Sequence, residues 1–237
     1  MKLLTSLTLL FLLVFSGIAM AEDNFQLEKQ LHRAILGGET QAALEAIEEG
    51  ARVNLSVGDT TMLNTAIYKN NVEVVKAMMG KNVNVHLADK DGRTAIQIAS
   101  LYGYLPIVKI LTNPDLGVSI TVGETITRRE KRSNVNDLDK WEDTALIHAL
   151  ANGHFETCQE LLDKGAKINL QNSKGHTPLI ICAHFGRLEQ VKWLLERGAD
   201  PNLSSIANRT ALDFAKAGRH AKVVEYLSGL TLDERDA

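Results

Sequence analysis

The chain is poor in cysteine, proline and aromatic residues, with 2 Cys, 4 Pro and 5% Phe, Trp and Tyr in 237 positions. Two thiols exclude a disulfide-built scaffold and a multi-cysteine metal cage. Four prolines exclude a collagen-like or polyproline chain. Beyond the first 21 residues there is no apolar run of the roughly 18 residues that a membrane-crossing helix needs. Neither sign of charge dominates: 26 Lys and Arg stand against 29 Asp and Glu, a net charge of −3, which argues against bulk binding to nucleic acid or anionic membranes. Reactive constellations are missing too. The 7 His are scattered without a Cys-x-x-Cys or His-x-x-x-His cluster, Gly37-Gly38 belongs to no nucleotide fingerprint, and Asp89 and Asp91 read as an acidic turn. The sequence therefore predicts no enzyme, no cofactor and no metal site.

The first residues have a different character from the rest. Lys2 precedes an apolar run from Leu3 to Val14, and Gly17-Ile18-Ala19-Met20-Ala21 supplies an Ala-x-Ala site. This layout predicts a signal peptide over residues 1–21, cleaved before Glu22, and a periplasmic or secreted protein with no stable membrane anchor. Removing it takes away one of the 26 basic residues and none of the 29 acidic ones, leaving a net charge of −4.

The remainder is periodic. Thr61, Thr94, Thr144, Thr177 and Thr210 open similar segments at intervals of 33, 50, 33 and 33, one period of 33 with 17 residues inserted once. Thr177 is a good N-cap and Pro178 suits a first helical turn, while Gly186 fits a left-handed C-cap. Leu188, Val191, Leu194 and Leu195 then recur at helical spacing, and Gly198-Ala199-Asp200-Pro201-Asn202 makes a turn. Two short helices cannot bury both faces alone, so neighbouring units must stack. Cys158 and Cys182 fall on positions this pattern buries; packed free thiols are favoured over a disulfide, though an oxidising compartment leaves that alternative open.

At Gly175-His176-Thr177-Pro178-Leu179, Gly186-Arg187-Leu188-Glu189, Trp193-Leu194-Leu195 and Gly198-Ala199-Asp200-Pro201-Asn202 the chain resembles the ankyrin-repeat family. The resemblance spans residues 27–228. It implies an all-α fold: an ankyrin-repeat solenoid of stacked helix-turn-helix units, with an inserted hairpin-like finger between two repeats. Residues 22–54 read as an N-terminal capping repeat, 55–228 as repeats with the insertion at about 113–132, and 229–237 as a polar C-terminal tail. The family's motif His is replaced by Asn64, Gln97, Ile147, Ile180 and Asp213, so a hydrogen bond common in the family is missing or remade.

The resemblance also implies a contact face made of turn tips and first-helix ends. Its positions here are Tyr68, Lys69, Arg93, Leu101, Tyr102, Trp141, Asp143, His176, His184, Phe185 and Arg209. Aromatic and Arg side chains are enriched at binding hot spots, so the set reads as a protein-binding stripe rather than as internal packing. In the insertion, Val118, Ile120 and Val122 alternate with Ser119 and Thr121, Gly123-Glu124 can turn, and Thr125-Ile126-Thr127 returns, followed by the basic run Arg128-Arg129-Glu130-Lys131-Arg132. Ile120, Val122, Arg128 and Arg129 join the expected partner-binding residues. The chain is expected to be a monomer before binding. Exported proteins of this kind include self-protection or immunity proteins, so a periplasmic hydrolase such as a cell-wall peptidase is the expected partner. The alternative is an assembly or stress-protection factor for a periplasmic enzyme such as a catalase.

Overall fold

A computed structural model of the chain describes residues 24–81, 83–113, 119–122, 125–128 and 133–233. The expected leader, residues 1–21, lies outside them. The chain divides into two compact units, Met1–Asn84 and Val85–Ala237.

The first unit holds helix α1 over 24–37, α2 (Thr40–Glu48), a hairpin of β1 (Ser56–Val57) and β2 (Thr60–Thr61), α3 (Met62–Tyr68) and α4 (Val72–Gly80). Leu31, Ala34 and Ile35 recur at helical spacing and are buried, and α2 and α3 both pack on α4 around Ile47, Leu63, Ile67, Met78 and Met79. Caps fix the helix starts: Thr61 Oγ1 accepts from Asn64 N at 3.0 Å, and Asn71 Oδ1 accepts from Val74 N at 3.1 Å. The small hairpin was not anticipated from the sequence, which placed strand only in the insertion. Its cause is Gly58, whose φ of 62° makes a two-residue turn with Asp59.

The second unit repeats one plan four times. First helices α5 (Ala95–Leu101), α7 (Ala145–Asn152), α9 (Pro178–His184) and α11 (Ala211–Ala217) pack side by side in chain order. Second helices α6 (Leu105–Thr112), α8 (Phe155–Asp163), α10 (Leu188–Glu196) and α12 (Ala221–Asp233) pack on their own first helices. Small residues permit the close approach: Ala95, Ala99, Ala145, Ala149, Ala183 and Ala215 are wholly buried. The recurrent Thr is the N-cap. Thr144 and Thr177 accept from Ile147 N and Ile180 N at 3.2 Å, and Thr94 and Thr210 form capping boxes with Gln97 and Asp213. The end of α11 differs from that of α9: Gly186 has φ 69°, whereas Gly218 has φ −77° and Arg219 takes the left-handed turn at φ 57°. The adjacent His220 ring crowds Gly218, and the chain reverses one residue later.

Two sets of bonds stitch successive repeats together. On one side Asn136 accepts from Lys167 N at 2.8 Å and donates to Gly165 O at 3.1 Å, and Asn169 does the same with Asp200 N at 3.0 Å and Gly198 O at 3.3 Å. At the starts of α8, α10 and α12 a side chain reaches back: His154 Nε2 lies 3.1 Å from Leu101 O, Arg187 Nη2 2.9 Å from Ala151 O, and His220 Nε2 2.8 Å from His184 O.

The turns before the first helices share one geometry. In residues 89–93, 139–143 and 172–176 the first side chain accepts two backbone N–H groups: Asp89 from Asp91 and Arg93, Asp139 from Trp141 and Asp143, Asn172 from Lys174 and His176, all at 2.9–3.0 Å. Ser205 takes this place in 205–209, accepting from Arg209 N at 3.4 Å. The tips then pair edge to edge, Lys140 N to Asp91 O at 3.2 Å, Ser173 N to Trp141 O at 3.0 Å and Ile206 N to Lys174 O at 3.1 Å.

The insertion leaves the stack intact. Strands β3 (Ser119–Val122) and β4 (Thr125–Arg128) pair antiparallel with Val122 opposite Thr125, the expected hairpin, and Ser133 N donates to Leu111 O at 3.1 Å where the chain rejoins the repeat.

Cys158 and Cys182 are free and buried. Burial pushes the Cys182 thiol up to about 12, and burial with the neighbouring Cys182 pushes Cys158 higher still. Two outcomes follow. Neither thiol reacts with a disulfide reagent at pH 8 until the chain unfolds, so a fast-reacting thiol in the native protein would contradict this packing. Gly175 has φ 73°, and an added Cβ would stand 2.6 Å from Ile206 N, whereas Gly38, at φ 74°, has open space around it. Gly175→Ala is therefore expected to cost about 2 kcal/mol or more and Gly38→Ala about 1 kcal/mol in urea unfolding. Equal losses would show that the contact at Gly175 relaxes freely.

Candidate functional site: the turn tips and first-helix ends

The tips and first-helix ends of the second unit carry most of its exposed rings. Tyr102, at the end of α5, is 46% exposed and stacks on Tyr104 with centroids 5.6 Å apart. Trp141, on the second tip, is 43% exposed, with Lys140 Nζ 4.2 Å from its ring. Phe185, at the end of α9, is 50% exposed, with the Arg187 guanidinium 5.1 Å away and the His184 ring at 5.0 Å. A cation above a ring holds it in place and favours it electrostatically by about 0.5–1 kcal/mol at exposed sites.

The last two repeats build a tighter group. The Phe214 ring on α11 is nearly buried, with the Arg209 guanidinium 4.3 Å from its centroid and the His176 and His184 rings at 4.9 and 5.9 Å. His176 is held below the usual histidine range, first by burial and then by Lys174 and His184. Asp213 is held below the usual carboxylate range because it accepts from Thr210 N and Thr210 Oγ1, both at 2.9 Å.

One cluster has the composition of a metal site: ligand atoms of Asp139, Asp143 and His148 lie within 4.8 Å of one another. Each group already has structural work. Asp139 Oδ1 closes the tip, Asp139 Oδ2 lies 2.9 Å from His148 Nε2, and Asp143 Oδ1 accepts from Asn172 Nδ2 at 2.7 Å. The arrangement fits a buried brace for the turn.

Against known proteins, the family model for ankyrin repeats in three copies matches residues 31–124 and 124–205. The chain belongs to the ankyrin-repeat family. Among its relatives, human Ankyrin repeat and KH domain-containing protein 1 is 30% identical over 118 residues, 50% of this chain and 4% of that protein. L-asparaginase of Dirofilaria immitis is 26% identical over 166 residues, 70% of this chain and 25% of the other. The chain thus spans a quarter or less of these two relatives. The crystal structure of EF0377, an ankyrin repeat protein, superposes with a TM-score of 0.73 at 23% identity, covering 85% of this chain and 97% of that one. The ankyrin repeat domain of Bcl-3, a member of the IkappaB protein family, gives 0.71 at 23% identity, with 84% of each chain covered. Both likenesses are of fold. Ankyrin repeats make this chain a protein–protein interaction module, on a scaffold that is typically non-catalytic.

The positions implied by the ankyrin resemblance divide between the units. Tyr68, half-buried, and Lys69, exposed, lie in the first. In the second, His176, His184 and Arg209 converge on Phe214, while Leu101 ends α5 half-buried beside Tyr102. Arg93 is ion-paired within its own tip to Asp89 at 3.3 Å and to Asp91. Ile120, Val122 and Arg128 lie on β3 and β4, and Arg129 is outside the described residues. Sequence reasoning missed Tyr104, Ile206 and Phe214. Ile206 stands four residues before Thr210, on a register position that could have flagged it; Phe214 stands on the inner helix face and carries no such signal. The hydrogen bond of the ankyrin motif His is remade at Gln97, whose Nε2 donates to Asp137 O at 2.9 Å and Asp143 O at 2.8 Å. Ile147 and Ile180 simply pack in the core, and Asn64 is buried with no partner for its amide among the described residues.

Exposure predicts how these rings differ in stability. Trp141→Ala is expected to cost less than about 1 kcal/mol, whereas Phe214→Ala, which empties a packed site, should cost about 3 kcal/mol or more in denaturant unfolding. A large loss at Trp141 would place its ring among the packing residues.

Proposed function

We propose that this ankyrin-repeat chain is an exported, non-catalytic binding protein that inhibits a partner hydrolase, such as a cell-wall peptidase, by covering its active site. The signal-peptide layout of residues 1–21 supports export. The observation that carries the binding reading is the set of three large exposed rings, Tyr102 and Phe185 at the ends of first helices and Trp141 on a turn tip, each flanked by a ring or cation. Rings of this kind supply large contact area at low entropic cost, and Trp, Tyr and Arg dominate binding hot spots. The insertion, joined to the stack at Leu111 and Ser133, is a second element with which to reach into a substrate cleft.

The mature chain, from residue 22, is expected to capture a hydrolase from the exported fraction of its source and to lower that enzyme's activity in proportion to occupancy. Trp141→Ala or Phe185→Ala should weaken the captured complex by about 2 kcal/mol, roughly 30-fold, with the melting temperature nearly unchanged. Enhanced enzyme activity on binding would overturn inhibition in favour of an assembly role. Unchanged affinity in both variants would remove these rings from the interface.

A further inference from the structure

The four turn tips of the second unit share a backbone geometry but not a charge. In the first, residues 89–93, Arg93 pairs with Asp89 and Asp91, and Lys140 of the next tip also pairs with Asp91. The second, residues 139–143, carries Asp139, Glu142 and Asp143 against Lys140. The last two have no carboxylate. Asn172 and Ser205 hold the place of Asp89, Lys174 and Ala207 hold that of Asp91, and His176 and Arg209 repeat the place of Arg93. Among the described residues no carboxylate pairs with Lys174 or Arg209.

We infer that this end of the face, with His176, His184 and Arg209 around Phe214, receives an acidic segment of the partner protein through its carboxylates, and takes up a proton as it does so. The inference rests on the binding reading above and gives the partner its chemistry.

The geometry suits a carboxylate. The Arg209 guanidinium sits over the Phe214 ring and spends one weak bond, from Nη2 to Asp213 O at 3.4 Å, which leaves its other N–H donors for a planar anion. The two nearby acids hydrogen-bond elsewhere, Asp143 to Asn172 Nδ2 at 2.7 Å and Asp213 to Thr210 at 2.9 Å, and neither closes an ion pair with Arg209. An apolar rim stands beside them in Phe185, 50% exposed, and Ile206, 79% exposed. The fit is therefore to acidic side chains interspersed with apolar ones. Glu142 and Asp143 on the neighbouring tip, and the net charge of −3, disfavour a polyphosphate backbone.

Proton uptake follows from the groups around His176. Burial, Lys174, His184 and Arg209 all disfavour the imidazolium, and Asp143 alone opposes them, so the ring is held below the ordinary histidine value in the free chain. A carboxylate placed among these cations supplies the missing opposite charge and favours protonation of the same ring. Binding must then strengthen as pH falls through the histidine range, while the ligand's own Glu side chains, with pKa about 4.3, stay ionised above pH 6.

The test uses the exported chain and two blocked pentapeptides, Glu-Glu-Leu-Glu-Glu and Gln-Gln-Leu-Gln-Gln, with affinity read by fluorescence anisotropy and histidine protonation by NMR. The Glu peptide is expected to bind at least about tenfold more tightly than its Gln counterpart, and about three- to tenfold more tightly at pH 6 than at pH 8. Arg209→Ala should weaken it about tenfold at both pH values. His176→Gln should reduce the gain in affinity between pH 8 and pH 6. Equal affinity for the two peptides, pH-independent binding by the unmodified chain, or tighter binding of a ten-nucleotide single-stranded DNA would overturn the inference. A hydrolase captured through Trp141 and Phe185 by a chain indifferent to the Glu peptide would overturn it while leaving the inhibitor reading intact. Binding of the Glu peptide with no hydrolase inhibited would overturn the inhibitor reading alone.

Discussion

Each turn of the second unit depends on a side-chain oxygen that accepts backbone N–H groups of its own loop. Asp89, Asp139 and Asn172 each accept two, Ser205 one, and that closure holds the tip in the shape in which its edge can pair with the next. Each bond contributes only about 1 kcal/mol, but the tips would otherwise present unpaired backbone groups, which cost more. Where the closing residue is a buried carboxylate, a second group supports it: Asp139 also meets His148 at 2.9 Å. The exposed side chains stand on this frame without contributing to it.

That separation of labour explains how the face carries chemistry. Closure uses the first position of each tip, the fourth has left-handed backbone, and pairing uses backbone, so the second, third and fifth positions are the ones that vary in charge and size. Trp141 and Ile206 occupy such positions, and so do Lys174 and Arg209. The rings are not confined to this side: Trp193 on α10 is almost buried, with Phe155 at 5.0 Å and Arg197 at 4.4 Å, and stiffens the second-helix layer instead.

What could be read from the residues, and what could not, divides along the same line. The five threonines were legible because an N-cap is a local, single-residue requirement repeated at fixed spacing, and the β3–β4 hairpin was legible from alternation around Gly123-Glu124. The cluster around Phe214 was not, since its members come from two tips and two helices and only stacking brings them together. The left-handed residue at Arg219 escaped notice because Gly218, one residue earlier, satisfies the repeat pattern. Gln97 in place of the family's His was visible as a departure, yet whether its amide could reach Asp137 O and Asp143 O depends on atoms of the next repeat. The division of the chain after Asn84 has no mark in the period at all.

The bond from Ser133 N to Leu111 O has a consequence for the history of this molecule. It closes the neck of the insertion, and the next stitch, from Asn136 to Gly165 and Lys167, begins only afterwards. Segments grafted between these two residues leave the stack's own bonds untouched, and lengthening a closed loop costs only about 0.6 kcal/mol per doubling. The finger can therefore change in length and sequence while the repeats on either side keep their period.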